Sequence, residues 1–152
     1  MVTVNKDFPL QSILDLSQLK LEESTRRLGE LIASEQEATK RLGLLVQYRD
    51  EYHGRFLAAA RDGLGREQWR NYQQFLEKLD AAIAQAGQMM AHSQQQTSAG
   101  QQDWLHKRGR VKAFDTLAQR HQAQVDYRES RQEQKNLDER AARNHTTRNP
   151  ED

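Results

Sequence analysis

The residues best equipped for chemistry in this sequence are five histidines, at positions 53, 92, 106, 121 and 145. A helical metal site needs two such ligands three or four residues apart with a supporting carboxylate, as in H-E-x-x-H. No two of these histidines stand at that spacing, so they read as solvated side chains and no metal is expected. The chain has no cysteine, hence no thiolate nucleophile, zinc–thiolate site or disulfide framework. The G-x-G at Gly63 and Gly65 lacks the Gly-Lys-Ser/Thr that completes a phosphate-binding loop. A basic cluster, Lys107, Arg108, Arg110 and Lys112 with Trp104 nearby, has the residue types that touch phosphates. A solvated helix face is the favoured reading of it. The net charge is +1 with both signs interspersed, which gives no one-signed field to draw nucleic acid or an anionic membrane.

The elements that must position these residues follow from composition and period. Of 152 residues, 36 % are hydrophobic and 30 % charged, and the mean hydropathy is −1.02. That is too little apolar surface for a multi-layer core and enough for a narrow seam between helices. The only prolines, Pro9 and Pro150, lie near the ends, and Pro9 is expected in the first turn of a helix, where its missing N–H costs nothing. Residues 1–16 contain acid and proline with no uninterrupted apolar run, unlike a signal peptide, and no later stretch is apolar enough to span a bilayer. A cytoplasmic location is expected. A two-helix chain of this kind has no enclosed cavity in which to shift the pKa of a carboxylate, so neither catalysis nor a cofactor is expected.

The stretch Asp62-Gly63-Leu64-Gly65-Arg66 divides two heptad-periodic segments, and glycines there permit a reversal. The expected fold is all-α: two long helices in an antiparallel coiled-coil hairpin, the second the longer. Helix one is expected over about 8–59, a bend over 60–66, and helix two over about 67–143, or roughly 75 Å and 115 Å of helix. The coiled coil covers 1–146 as a single domain, after a short lead 1–7 in which Asp7 is placed to cap helix one. Residues 147–152 are expected to be disordered.

In helix one, position a holds Leu14, Leu21, Leu28, Glu35, Leu42, Arg49 and Phe56, and d runs from Leu10 through Ser17, Ser24, Leu31, Ala38 and Leu45 to Tyr52. In helix two, a runs from Trp69 through Leu76, Ile83, Met90, Thr97, Trp104, Val111 and Ala118 to Val125. Its d positions run from Tyr72 through Leu79, Ala86, Ser93, Gly100, Lys107 and Phe114 to His121. Folding about Leu64 sets Phe56 against Tyr72, Leu28 against Gly100, Ser24 against Trp104 and Leu14 against Phe114. Large residues meet small ones, which supports an antiparallel pair.

Near the bend the g edge carries Tyr48, Phe75, Ala82 and Met89, whereas the e edge carries His53, Gln73, Asp80 and Gly87 with Val46 as its one large apolar residue. The apolar edge either widens the seam or docks a partner. Segment 92–103 is rich in Gln, Ser, Thr and Gly and is expected as a weak stretch of helix. Beyond about His121 the second helix has no partner, so it either frays or orders on another protein.

Around the bend, Gln47-Tyr48-x-x-Glu51-Tyr52 and Trp69-x-Asn71-Tyr72-Gln73-Gln74-Phe75-Leu76 resemble the flagellar export protein FliJ family, as do Trp104, Phe114-x-x-Leu117 and Lys135-x-x-Asp138-Glu139-x-Ala141-x-Arg143. The resemblance covers nearly the whole chain. It implies a two-helix coiled coil similar to the γ stalk of F-type ATPases, acting in flagellar protein export, and so in motility and chemotaxis. The implied partners are the hexameric flagellar export ATPase, whose central hole such proteins enter, the cytoplasmic domain of an export-gate membrane protein, and export chaperones. Membrane association would be peripheral, through these partners alone. By position, Leu45, Tyr48, Tyr52, Phe75, Leu79 and Ala82 match the gate-binding patch, with Arg41 and Ala86 at its edge. Leu14, Trp104, Val111 and Phe114 would lie on the arms that meet the ATPase ring. A general helical adaptor and the stalk of a virulence-type secretion system are the alternatives.

Overall fold

A computed structural model describes residues 8–148. Its elements are α1, Gln11–Asp62, and α2, Arg66–Arg148, and the fold is all-α, two long helices packed against each other as an antiparallel hairpin. Asp7, expected to cap the first helix, lies outside the described residues, as do residues 149–152.

α1 begins at Gln11, three residues later than the expected Phe8. Proline disfavours helical geometry in the residue before it, so Phe8 stays out of the helix. Its carbonyl accepts the Gln11 N–H at 3.1 Å, and its side chain, only 7 % exposed, packs on His121 with ring centroids 5.5 Å apart. α1 ends where Gly63 takes φ = 95°, a conformation that side chains other than hydrogen resist. The Gly63 N–H reaches back to the Ala60 carbonyl at 3.3 Å. The Gly65 carbonyl then accepts the Trp69 N–H at 3.0 Å and opens α2, whose first turn carries Glu67 at the positive end of the helix dipole.

α2 passes through 92–103 without a break and continues to Arg148, past the expected limit at 143. In its last turns the Thr146 and Thr147 hydroxyls donate back to the carbonyls of Ala142 and Arg143 at 3.1 and 3.0 Å. Arg148 supplies positive charge at the negative end of the dipole.

Contacts divide the chain into two compact units. The bend unit is Glu22–His106; the terminal unit joins Met1–Leu21 with Lys107–Asp152, of which 8–21 and 107–148 are described. In the bend unit Leu76, Leu79, Ala86 and Phe56 are buried, with Ser24 and Thr97 as buried polar groups. The Ser24 hydroxyl donates to Asp103 at 2.9 Å, and the Trp104 indole N–H to the Thr25 hydroxyl, also at 2.9 Å. Thr97 donates to the Ser93 carbonyl of its own helix at 3.0 Å and lies 3.3 Å from the Leu31 carbonyl across the seam. A Cβ on Gly100 would come within 2.7 Å of Leu31 Cδ1 and 3.5 Å of Leu28 Cδ1. The leucines of α1 therefore occupy the space that glycine leaves.

In the terminal unit Leu14 and Ser17 are buried, at 3 % and 7 % exposure. After His121, among the described residues, only Val125 is half-buried. The described side-chain contacts of this stretch run within its own helix, Gln122 to Asp126, Arg131 to Tyr127, Gln132 to Asn136 and Gln134 to Asp138, each weak alone.

Candidate partner-binding surface

The expected register accounts for the burial. From Leu10, in the turn before α1, to Phe56, and from Tyr72 to Val125 on α2, every a and d residue is buried or half-buried. The exception is Trp69, 48 % exposed, which lies on Phe56 with centroids 5.0 Å apart close to where α1 ends.

The g edge of the bend unit gathers its aromatic residues into one cluster. Tyr52 sits 4.4 Å from Phe75 and 5.3 Å from Tyr72, centroid to centroid. Tyr48 meets the Phe75 ring edge-on at 6.2 Å, with 87° between planes, the arrangement that ring quadrupoles favour. Phe56 closes the cluster against Tyr72 at 5.4 Å. Burial raises the Tyr52 pKa above the usual tyrosine value, and the neighbouring Tyr72 and Tyr48 hydroxyls add to the effect. Arg49, at a seam position, leans out to Asp80 at 2.5 Å. The hydrogen bond to Asp80 and its charge raise the Arg49 pKa further, so this guanidinium stays charged.

Of the residues matched to the gate-binding patch, Tyr48 is 44 % exposed and Leu79 only 7 %, while Leu45, Tyr52, Phe75 and Ala82 are half-buried. The geometry joins Tyr48, Tyr52 and Phe75 directly and sets Leu79 in the seam beneath them. Seam widening and an accessible apolar edge thus coexist: the rings lie over seam neighbours, yet Tyr48 and Met89 remain open. Along the same edge runs an open groove of about 1210 Å³ whose lining includes Arg41, Leu44, Ala86 and Met89. Leu44 and Met89 are 57 % and 53 % exposed. Periodicity passes over Leu44 because it stands at position c. Its signal was the run Leu44-Leu45-Val46, wider than a two-position seam requires.

The residues matched to the ring-facing arms divide between the units. Leu14, Val111 and Phe114 belong to the terminal unit and Trp104 to the bend unit; Leu14 is buried and the other three half-buried. Of the basic cluster, Lys107 is half-buried and Arg108, Arg110 and Lys112 are exposed. The Arg110 guanidinium lies 6.0 Å from the Phe114 ring centroid. Among the described residues no group of three or more His, Asp or Glu is placed to hold a metal ion, and no helix is long and apolar enough to cross a membrane.

A family model described as "Flagellar FliJ protein" matches residues 5–150. The chain belongs to the FliJ family. It is similar to the flagellar FliJ proteins of Salmonella typhi and of Escherichia coli strain K12, being 32 % identical to each over 134 residues. Those alignments cover 88 % of this chain and 91 % of each relative. A FliJ-family chain is a flagellar protein, and the ring cluster lies in the part of it, 47–76, whose spacing first carried the likeness.

Proposed function

We propose that this FliJ-family chain is a non-catalytic component of the flagellar protein export apparatus. It acts as the central stalk of the hexameric export ATPase and couples that ring to the export gate while handling export chaperones. It works on the cytoplasmic side of the membrane at the flagellar base, held there by its partners. The observation that carries the reading is the aromatic edge of the bend unit, where Tyr48, Leu44 and Met89 stay exposed beside a ring cluster. Exposed apolar side chains grouped on one edge mark a surface that another protein covers. The cross-section supports it as well: a helix pair at 8–10 Å spacing is about 20 Å wide, narrow enough for the hole of a ring. Because its edges differ, such a pair offers unlike surfaces to six equivalent subunits and biases them unequally.

The test is reconstitution. Purified protein added at stoichiometric concentration raises hexamer formation or ATP turnover of the cognate export ATPase; unchanged turnover and assembly refute the stalk role. Replacing both Tyr48 and Phe75 by alanine weakens binding to the gate's cytoplasmic domain at least tenfold with helicity retained. A large fall in helicity instead makes these residues part of the scaffold.

A further inference from the structure

The bend carries charge that its own stability does not call for. Residues 55–70 hold four arginines, Arg55, Arg61, Arg66 and Arg70, and two acids, Asp62 and Glu67. Four positive and two negative charges leave +2 there, whereas the whole chain is +1, so the remainder is acidic. All four arginines are exposed, and none enters an ion pair among the described residues. Arg61 sits in the last turn of α1, where a cation complements the helix dipole. Arg66 is the first residue of α2, at the end of the dipole that disfavours a cation. Arg70 follows it at i+4, a like-charge spacing that destabilises a helix. Beside them Trp69, which lies against Phe56, is 48 % exposed, and Leu57 on the other helix is 47 % exposed.

We propose that the bend is a contact site for an anionic lipid surface. Guanidiniums take headgroup phosphates through paired N–H donors. A half-exposed indole, apolar in body and polar at its N–H, suits the headgroup layer. At about 1.5 Å per helical residue, all four arginines lie within about 10 Å of the bend. That is close to the Debye length of about 8 Å at physiological salt, so a surface touching the bend feels every one of them. Two exposed apolar side chains are too few to anchor a protein partner, whose hot spots sit in packed pockets, but an interface takes in single aromatic residues. No helix is apolar enough to insert, so the contact is peripheral and salt-sensitive. It needs neither the export ATPase nor the gate and stands apart from the stalk reading.

The test is co-sedimentation of the full chain with vesicles of phosphatidylcholine containing one third phosphatidylglycerol, against phosphatidylcholine alone. Expected is retention on the anionic vesicles only, falling as salt is raised. Each basic side chain near such a surface contributes roughly fivefold in affinity, so Arg66→Gln with Arg70→Gln weakens vesicle affinity at least tenfold. That variant keeps or raises the melting temperature, because it removes like charges from the start of α2. Arg110→Gln with Lys112→Gln, in the other basic cluster, leaves retention unchanged, as does Tyr48→Ala. Circular dichroism checks that each variant stays helical. Trp69 and Trp104 are the only tryptophans, and on anionic vesicles the emission of Trp69 in Trp104→Phe shifts to the blue. Trp69→Phe abolishes that shift in the otherwise native chain. Equal retention on both vesicles, no retention, loss that follows Arg110 and Lys112 instead, or unshifted Trp69 emission overturns the proposal. So does capture of a glutamate-rich peptide by the same arginines without vesicle retention, which reassigns the bend to an acidic protein. A chain that binds vesicles yet leaves the export ATPase unstimulated keeps this contact and loses the stalk role.

Discussion

Replacing Phe56 by alanine tests what holds the bend together. Phe56 is 6 % exposed and its ring touches three others, Trp69 at 5.0 Å, Tyr72 at 5.4 Å and His53 at 6.2 Å. Truncating a buried phenylalanine costs about 3–5 kcal/mol, from lost transfer free energy and the cavity left behind. Each lost ring pair contributes about 0.5–1.5 kcal/mol of that. A two-helix seam has solvent close on either side, so the cavity refills more readily than in a globular core, and the expected cost is about 3 kcal/mol. Trp69, at 48 % exposure, has about half its surface to lose, and Trp69→Ala is expected to cost about 1–1.5 kcal/mol. With a urea m-value of about 2 kcal/mol/M, the Phe56 variant shifts the midpoint by about 1.5 M and the Trp69 variant by at most about half of that. Hydrogen exchange adds the location: amides flanking the bend lose protection first, because the lost contacts are local to it. A Phe56→Ala cost below about 1 kcal/mol, or below that of Trp69→Ala, refutes the account in which the buried ring locks the hairpin.

Gly63 makes a different demand. Nothing lies within 4 Å of a Cβ added there, yet its φ is +95°, so Gly63→Ala is expected to lose about 1–2 kcal/mol through backbone strain alone, read from the urea midpoint. Gly65→Ala, equally uncrowded and without positive φ, is its control and loses less. The raised pKa of Tyr52 sets a direction for alkaline stability. The folded state favours the neutral phenol, so this stability is fully present below the unfolded tyrosine pKa of about 10 and is lost as pH rises through the higher folded value. Tyr52→Phe is expected to show a smaller loss of melting temperature across that window; an equal loss assigns the effect to other groups.

The sequence by itself determined the two helices, the reversal between them and the faces they bury. Seven-residue spacing is a local property: once Leu14 or Leu76 lies on the seam, every third and fourth residue follows it around the helix, whatever lies opposite. That is why the register holds from Leu10 to Val125 and fails only at Trp69, where the opposite helix is ending. The start of α1 was less legible, because the turn before Gln11 depends on Phe8 finding His121, 113 positions away in the chain. Only the tertiary structure decided which polar groups meet, Ser24 with Asp103 and Trp104 with Thr25. It also decided which edge residues stay open. Tyr48 and Phe75 share position g, but one is exposed and the other half-buried, since exposure at an edge depends on the side chains that rise beside it from the opposite helix. Likewise Leu16 and Arg110 line one small cleft because two segments nearly a hundred residues apart are set side by side, a proximity that no local period records.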